Sequence, residues 1–446
     1  MSELLDALLG DAEAAAPFAT RARMQAVLDV VVALAEAQAA GGIVPAAALG
    51  PIRAAARAEF YDPTELGAAA RTAGNFTIPL VRALTKRVEV VEPASAAWVH
   101  FGATSQDLLD TALVLQLRAA VPVVIRSLRR AADAAARHAA QHARTPMAGR
   151  SWLQHGVPIT FGLKAAGWCD ALDRTATRLE DALAQASVLQ LGGAAGTLAA
   201  LGGDALPTAE RMARALQLAL PAVPWHAHRD RLAELAAALG VATGVVGKVG
   251  RDVVLLAQTE VGEVTEGTPG GSSTMPQKRN PVAATVAVSA SHRTPGLVAT
   301  VLGSMVQEHE RAAGAWQAEW ETFPDLVAVA GGGARSVADS LESLVIDTGR
   351  MRANLERTRG LISAEAAAMA LAAAIGKHRA HEILQEAAGR AVATDRPLAD
   401  ILAEDDEIAG RFSRAELERL LDPANYLGAS EELVARVLGS RGGARA

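Results

Sequence analysis

The chain has 446 residues, half of them hydrophobic but only 3% aromatic, with 43 Lys+Arg against 49 Asp+Glu for a net charge of −6. That length suits about three domains with a sizeable core, and the mild acidity gives no bulk attraction to nucleic acid. The single cysteine, Cys169, excludes an internal disulfide and fits a reducing, cytoplasmic compartment.

From the N-terminus, Asp6 and Asp11 interrupt a leader that lacks basic residues, so no secretory signal is predicted. Residues 1–108 are expected to form a helical domain of short elements broken at Gly41-Gly42, Pro45, Pro63 and Pro79. Residues 109–348 are expected to hold a central bundle of four long helices. The first covers 109–143 with a kink at Pro122, and the second covers 158–191 with Pro158 in its first turn. The third carries the best periodic signal: Leu232, Leu235, Leu239, Ala242, Val246, Val249, Val253 and Leu256 alternate by three and four, which predicts one helix of about 35 residues over 231–268. The fourth runs from Pro281 to about Gly314, perturbed at Pro295-Gly296. Residues 349–446 return to short helices. The fold class is all-α, an elongated bundle of long helices with smaller helical N- and C-terminal domains, and strand patterns are scarce. No segment reads as a membrane span, because the longest uncharged stretch, 182–203, holds five glycines with Gln185 and Gln190.

Three segments carry candidate chemistry. Gly270-Gly-Ser-Ser-Thr-Met-Pro-Gln-Lys-Arg-Asn-Pro281 combines mobile glycines, the hydroxyls of Ser272 and Ser273, and the cation of Lys278. Asn280-Pro281 reads as the N-cap and first-turn proline of the next helix. The same composition suits a flexible linker, and spacing alone does not separate the two. His100-Phe-Gly-Ala-Thr-Ser-Gln-Asp107 contains a capping box in Thr104 to Asp107. Gly149-Arg-Ser-Trp-Leu-Gln-His155 is the third. His138 and His142 stand four apart on a helix without a third ligand, so they are expected to be solvated rather than to bind metal. The pairs His226/His228 and His378/His381 are equally unsupported. Cys169 reads as buried filler with no His or Asp beside it.

The loop at 270–281 resembles the signature of the fumarase/aspartase superfamily, and the other two segments resemble that family's His-x-Gly-x-Thr-Ser-x-Asp and Gly-Arg-Thr-His-x-Gln regions. The resemblance implies a homotetramer with sites shared between subunits, in which Ser272 handles the substrate proton. It further implies that Lys278 and Asn280 stabilise the anion, and that His100, Thr104, Ser105, Arg150, Gln154, Ser273 and Arg311 bind carboxylates. Trp152 stands where the family carries the histidine that protonates a leaving group. Tryptophan has no titratable proton, whereas a carboxylate, with a pKa of about 4, attacks or departs as the anion. Trp152 therefore selects a lactone-forming reaction. Segments at 191–201, 225–235, 310–320 and 421–428 resemble the lactonising cycloisomerase branch, whose substrate is a small tricarboxylate diene of bacterial protocatechuate breakdown. No cofactor, metal, nucleic acid or membrane partner is implied, and the resemblance leaves His155 as an alternative proton donor. The competing readings are an adenylosuccinate- or argininosuccinate-type lyase, disfavoured by Trp152 and Trp320, and a catalytically silent tetrameric scaffold, disfavoured by the intact loop.

Overall fold

Six helices of more than twenty residues carry the fold in the computed structural model, which describes residues 3–444. They are α1 (Thr20–Ala40), α2 (Ser105–Gln141), α3 (Phe161–Ala186), α4 (Asp230–Leu256), α5 (Val282–Gly303) and α6 (Ala315–Glu342). Strands are confined to two antiparallel pairs, β1 (Pro146–Ser151) with β2 (Gln154–Thr160), and β3 (Val264–Glu266) with β4 (Leu344–Ile346). The all-α class agrees with the sequence, but α6 is a fifth helix of the long central set where four were expected.

All eight residues of the heptad stripe are buried along α4. The helix is nevertheless 27 residues long. Beyond Leu256 the chain turns through Gln258 to Gly262, where Gly262 takes a left-handed φ of +62° and the Glu263 amide returns to the Leu256 carbonyl. The second helix starts later than Pro158, since Pro158 lies in β2 opposite Ala148 and the Thr160 hydroxyl accepts the Leu163 amide at 3.0 Å to cap α3. α2 continues through Pro122 and α5 through Pro295, and α5 ends at Gly303 rather than near Gly314. Contrary to the sequence reading of membrane segments, α2 and α4 each contain a window long and apolar enough to cross a bilayer. Here their apolar residues are largely buried inside the protein.

The chain divides into two compact units whose boundaries fall inside the long helices. The first comprises Met1–Leu128, Arg174–Gly247 and Val286–Arg335. Within it α4 and α5 approach closely at glycines: a Cβ on Gly247 would lie 2.4 Å from the Ser291 side chain, and one on Gly240 2.9 Å from Val298. At its centre Arg229 is wholly buried, bonded to both oxygens of Asp110 (2.7 and 3.0 Å) and to Glu319 (3.1 Å for Nε). The Trp316 indole N–H (3.0 Å) and the Gln106 amide (3.1 Å) also donate to Asp110. Burial raises the Glu319 carboxyl pKa, with Arg229 opposing the rise.

The second unit comprises Arg129–Asp173, Lys248–Thr285 and Ser336–Ala446. It holds both strand pairs and a C-terminal apolar cluster around Leu371, Leu398, Leu402, Ile408 and Leu417. Helix Ser430–Ala444 is tied down by Arg441, which donates to Asp133 at 2.7 Å and Asp173 at 2.6 Å. Asp173 also lies 3.8 Å from the Cys169 sulfur, so an acidic residue does stand beside that thiol, whose pKa burial pushes up to about 11. The expected solvation of His138 and His142 is overturned. His142 is buried, and His138 Nε2 lies 2.8 Å from the Leu341 carbonyl oxygen. Among the described residues no metal-binding group of His, Cys, Asp and Glu occurs.

Burial lowers the pKa of His100, His138 and His142. Between those lowered values and the ordinary 6.5, the unfolded chain binds protons that the folded chain does not, so stability falls as pH falls through that window. Thermal unfolding midpoints are therefore expected to drop from pH 7 to about 5.5, before carboxylates titrate. His138→Asn should flatten that slope, and an identical slope in the variant would refute the contribution of His138.

Candidate active site

In the first unit, the His100 to Asp107 segment turns into α2. His100 sits at a left-handed φ of +58°, and its Nε2 is buried without a partner among the described residues. A histidine in that region is held there by its surroundings rather than by preference. Desolvation lowers its pKa, opposed by Asp107, so the ring is neutral at pH 7. The capping box is present in part: the Thr104 amide donates to Asp107 Oδ2 at 2.9 Å. The Ser105 hydroxyl accepts from the Asn75 amide at 3.4 Å. Arg311 precedes α6 and donates from Nη2 to the Ala194 carbonyl at 3.0 Å, while its Nε–H is buried and unpaired among the described residues. The Arg311 Nε–H is an unsatisfied donor, and His100 Nε2 becomes a second in the tautomer that carries its proton there, a pair that suits a bound carboxylate.

In the second unit, β1 and β2 form a hairpin whose two turn residues are Trp152 (φ +54°) and Leu153 (φ +64°), with Ser151 opposite Gln154. Two positive φ values match the mirror-image turn that fits strand twist, a place usually given to Asn-Gly. Trp152 is 94% exposed and Leu153 77%. Bulky residues in strained, solvent-facing backbone mark a functional constraint better than a packing one. Gln154 is exposed on the same tip. His155, opposite Arg150, has its pKa lowered by burial and then by Arg150.

Arg150 already faces a carboxylate within the protein. Its guanidinium forks onto the fully buried Glu263 carboxylate at 3.0 and 2.6 Å, and Asn354 donates to the same carboxylate at 2.8 Å. The arginine thus anchors the hairpin. Replacing it with lysine keeps the charge but loses the bidentate geometry. Arg150→Lys is expected to cost about 1–2 kcal/mol of stability with KM unchanged. A KM increase with unaltered urea unfolding would restore the substrate-binding role. Glu263 has no local sequence signal because its partner is 113 residues away.

The 270–281 loop is closed at its base by paired backbone bonds of 2.9 Å between Gly270 and Asn280. Asn280 does not cap α5. Its side-chain amide donates to the Gly271 carbonyl at 3.0 Å. The buried Glu266 carboxylate caps α5 instead, accepting the Ala283 and Ala284 amides at 3.2 and 2.8 Å. Within the loop, Ser272 Oγ accepts the amides of Thr274 (3.3 Å) and Met275 (3.1 Å). Backbone N–H groups on the hydroxyl oxygen favour its anionic form. Ser273, Lys278 and Met275 are exposed around it.

Residues 10–296 match the family described as Lyase, and residues 360–437 match the Adenylosuccinate lyase C-terminus. The chain belongs to this lyase family of the fumarase/aspartase superfamily. It is 49% identical to a 3-carboxy-cis,cis-muconate cycloisomerase of Pseudomonas aeruginosa over 98% of this chain and 96% of that one. A protein of the same name from Bradyrhizobium diazoefficiens is 46% identical over 99% and 98% of the two chains. The crystal structure of the 3-carboxy-cis,cis-muconate lactonizing enzyme from Pseudomonas putida covers 100% of both chains with a TM-score of 0.96 at 46% identity.

Proposed function

We propose that the chain is a cytoplasmic, homotetrameric cycloisomerase that lactonises 3-carboxy-cis,cis-muconate to carboxymuconolactone in protocatechuate degradation. The observation that carries this reading is Trp152, strained and exposed at a hairpin tip where the superfamily places its protonating histidine. One substrate carboxylate adds to the conjugated double bond, forming the ring C–O bond and moving the electron pair onto the adjacent carboxylate as an aci-carboxylate. The α-carbon then takes one proton, so atoms and charge balance without a leaving group that needs an acid. Ser272 supplies that proton and removes it in ring opening. Lys278 and Asn280 stabilise the developing dianion. His100, Thr104, Ser105, Gln154, Ser273 and Arg311 hold carboxylates, with segments from neighbouring subunits completing each site. Arg150 is retained as the hairpin's anchor.

Cyclisation destroys the conjugated diene, so ultraviolet absorbance of 3-carboxymuconate is expected to fall on adding the enzyme. No fall, with fumarate released from adenylosuccinate, would replace this reading by the lyase one. Inactivity on both would leave the scaffold.

A further inference from the structure

Asp107 has no place in the chemistry above, yet its carboxylate accepts from three separate stretches of chain near the carboxylate-binding residues of the first unit. It is fully buried in the first turn of α2. Oδ1 accepts the Gly192 amide at 2.8 Å and lies 2.7 Å from His226 Nε2; Oδ2 accepts the amides of Gly193 and Thr104, each at 2.9 Å. These donors come from three stretches of chain: the turn before α2, the irregular segment after α3, and the segment leading into α4. The glycines are required. A Cβ on Gly192 would sit 2.7 Å from the His226 ring and 2.8 Å from Pro224, and Gly193 has a φ of +68°.

Two of the three stretches set the carboxylate-binding groups. Thr104, whose amide Asp107 holds, is followed directly by Ser105. Ala194, one residue beyond the held glycines, receives Arg311 through its carbonyl. Gly102 packs on the same segment, its backbone leaving no room for a Cβ beside Leu201, 2.5 Å away. His226 is itself 4% exposed and its backbone carbonyl accepts the Gln106 side chain at 2.9 Å, which fixes the ring's approach.

We propose that Asp107 and His226 form a positioning pair: the carboxylate, oriented by the imidazole N–H, fixes the Thr104–Ser105 turn and the Gly192–Ala194 segment at the separation that lets Ser105 and Arg311 grip a substrate carboxylate. The pair touches no reacting atom, and it acts on affinity through the two segments it joins. The inference rests on the cycloisomerase reading only for the choice of substrate.

The test compares His226→Gln, whose amide N–H reaches the position of Nε2, with His226→Ala, which deletes the donor. Circular dichroism establishes that each is folded, and His226→Asn, too short to reach, replaces the alanine variant if that one does not fold. His226→Ala is expected to raise KM for 3-carboxymuconate about tenfold with kcat within about threefold, and His226→Gln to remain within about twofold of wild type. In parallel, amide hydrogen exchange of residues 190–195 should quicken in the alanine variant and return in the glutamine variant. A KM within about twofold of wild type for His226→Ala, or glutamine no better than alanine, overturns the proposal. If the wild type leaves the diene absorbance untouched, the cycloisomerase reading falls by itself. The exchange arm then decides: protection lost with alanine and regained with glutamine supports the pair, and equal protection in all three proteins overturns it.

Discussion

Ser272→Ala is expected to lower turnover of 3-carboxymuconate by on the order of 10²–10⁴-fold without loss of folding. Lactonisation leaves a carbanion-like centre, and the product forms only when one proton reaches carbon, so deleting the proton carrier strikes kcat. KM should change little, because other side chains hold the carboxylates. The hydroxyl's structural bonds are slight: it accepts two amides at 3.1 and 3.3 Å in an exposed stretch, while the loop base is held independently by the Gly270–Asn280 pair. Exposed substitutions of this kind cost within about 0.5 kcal/mol. Stopped-flow absorbance with matched thermal unfolding checks both halves. Turnover near wild type would remove Ser272 from the mechanism and return His155 as donor. His155 starts with a pKa lowered by burial and by Arg150, so it would carry its proton only below its ordinary range, and activity would then already decline as pH rises through the acid side of about 6.5.

What could be read from the chain depended on how local each cause was. The stripe from Leu232 to Leu256 specified a buried helical face through its own periodicity, and every member is buried. Helix ends were less legible because distant groups set them. Glu266, from β3, caps α5 in place of Asn280, and Glu263 meets the Leu256 carbonyl where α4 ends. The long helix α6 escaped notice because Pro324 and three consecutive glycines, Gly331 to Gly333, weaken its pattern. Those glycines serve close packing: a Cβ on Gly332 would lie 2.1 Å from the Leu9 carbonyl oxygen.

The candidate site divides in the same way. The 270–281 loop and the 100–107 turn were recognisable as contiguous motifs, and the tryptophan at position 152 stood out in an aromatic-poor chain. Its strained turn and full exposure were not legible, since backbone sign is not written in Trp-Leu. Arg150 was assigned to substrate by the family resemblance, and in this chain the anion it meets belongs to Glu263. His226 appeared idle for the same reason: its partner Asp107 is 119 residues away.

Arg229→Met is expected to cost about 3–5 kcal/mol of stability, since removing one member of a buried ionic group leaves the others uncompensated. Asp110 and Glu319 would remain in the interior of the first unit with only the neutral donors Trp316, Gln106 and Gln307. Although burial pulls the guanidinium toward neutrality, the two carboxylates hold its pKa above the ordinary arginine value. The arginine is therefore charged at every accessible pH and cannot relieve the group by losing its proton. The carboxylates can relieve the variant by gaining one. Without Arg229 their folded pKa values rise above the unfolded ones, so the folded variant binds more protons and its stability falls as pH rises. The deficit against wild type should thus shrink as pH drops from 8 toward 5 in urea unfolding. Adding Asp110→Asn and Glu319→Gln to Arg229→Met should recover much of the loss, because a neutral interior has no charge left to compensate. A deficit below about 1 kcal/mol, independent of pH, would mean that water reaches the carboxylates and that the trio is not sealed in the core.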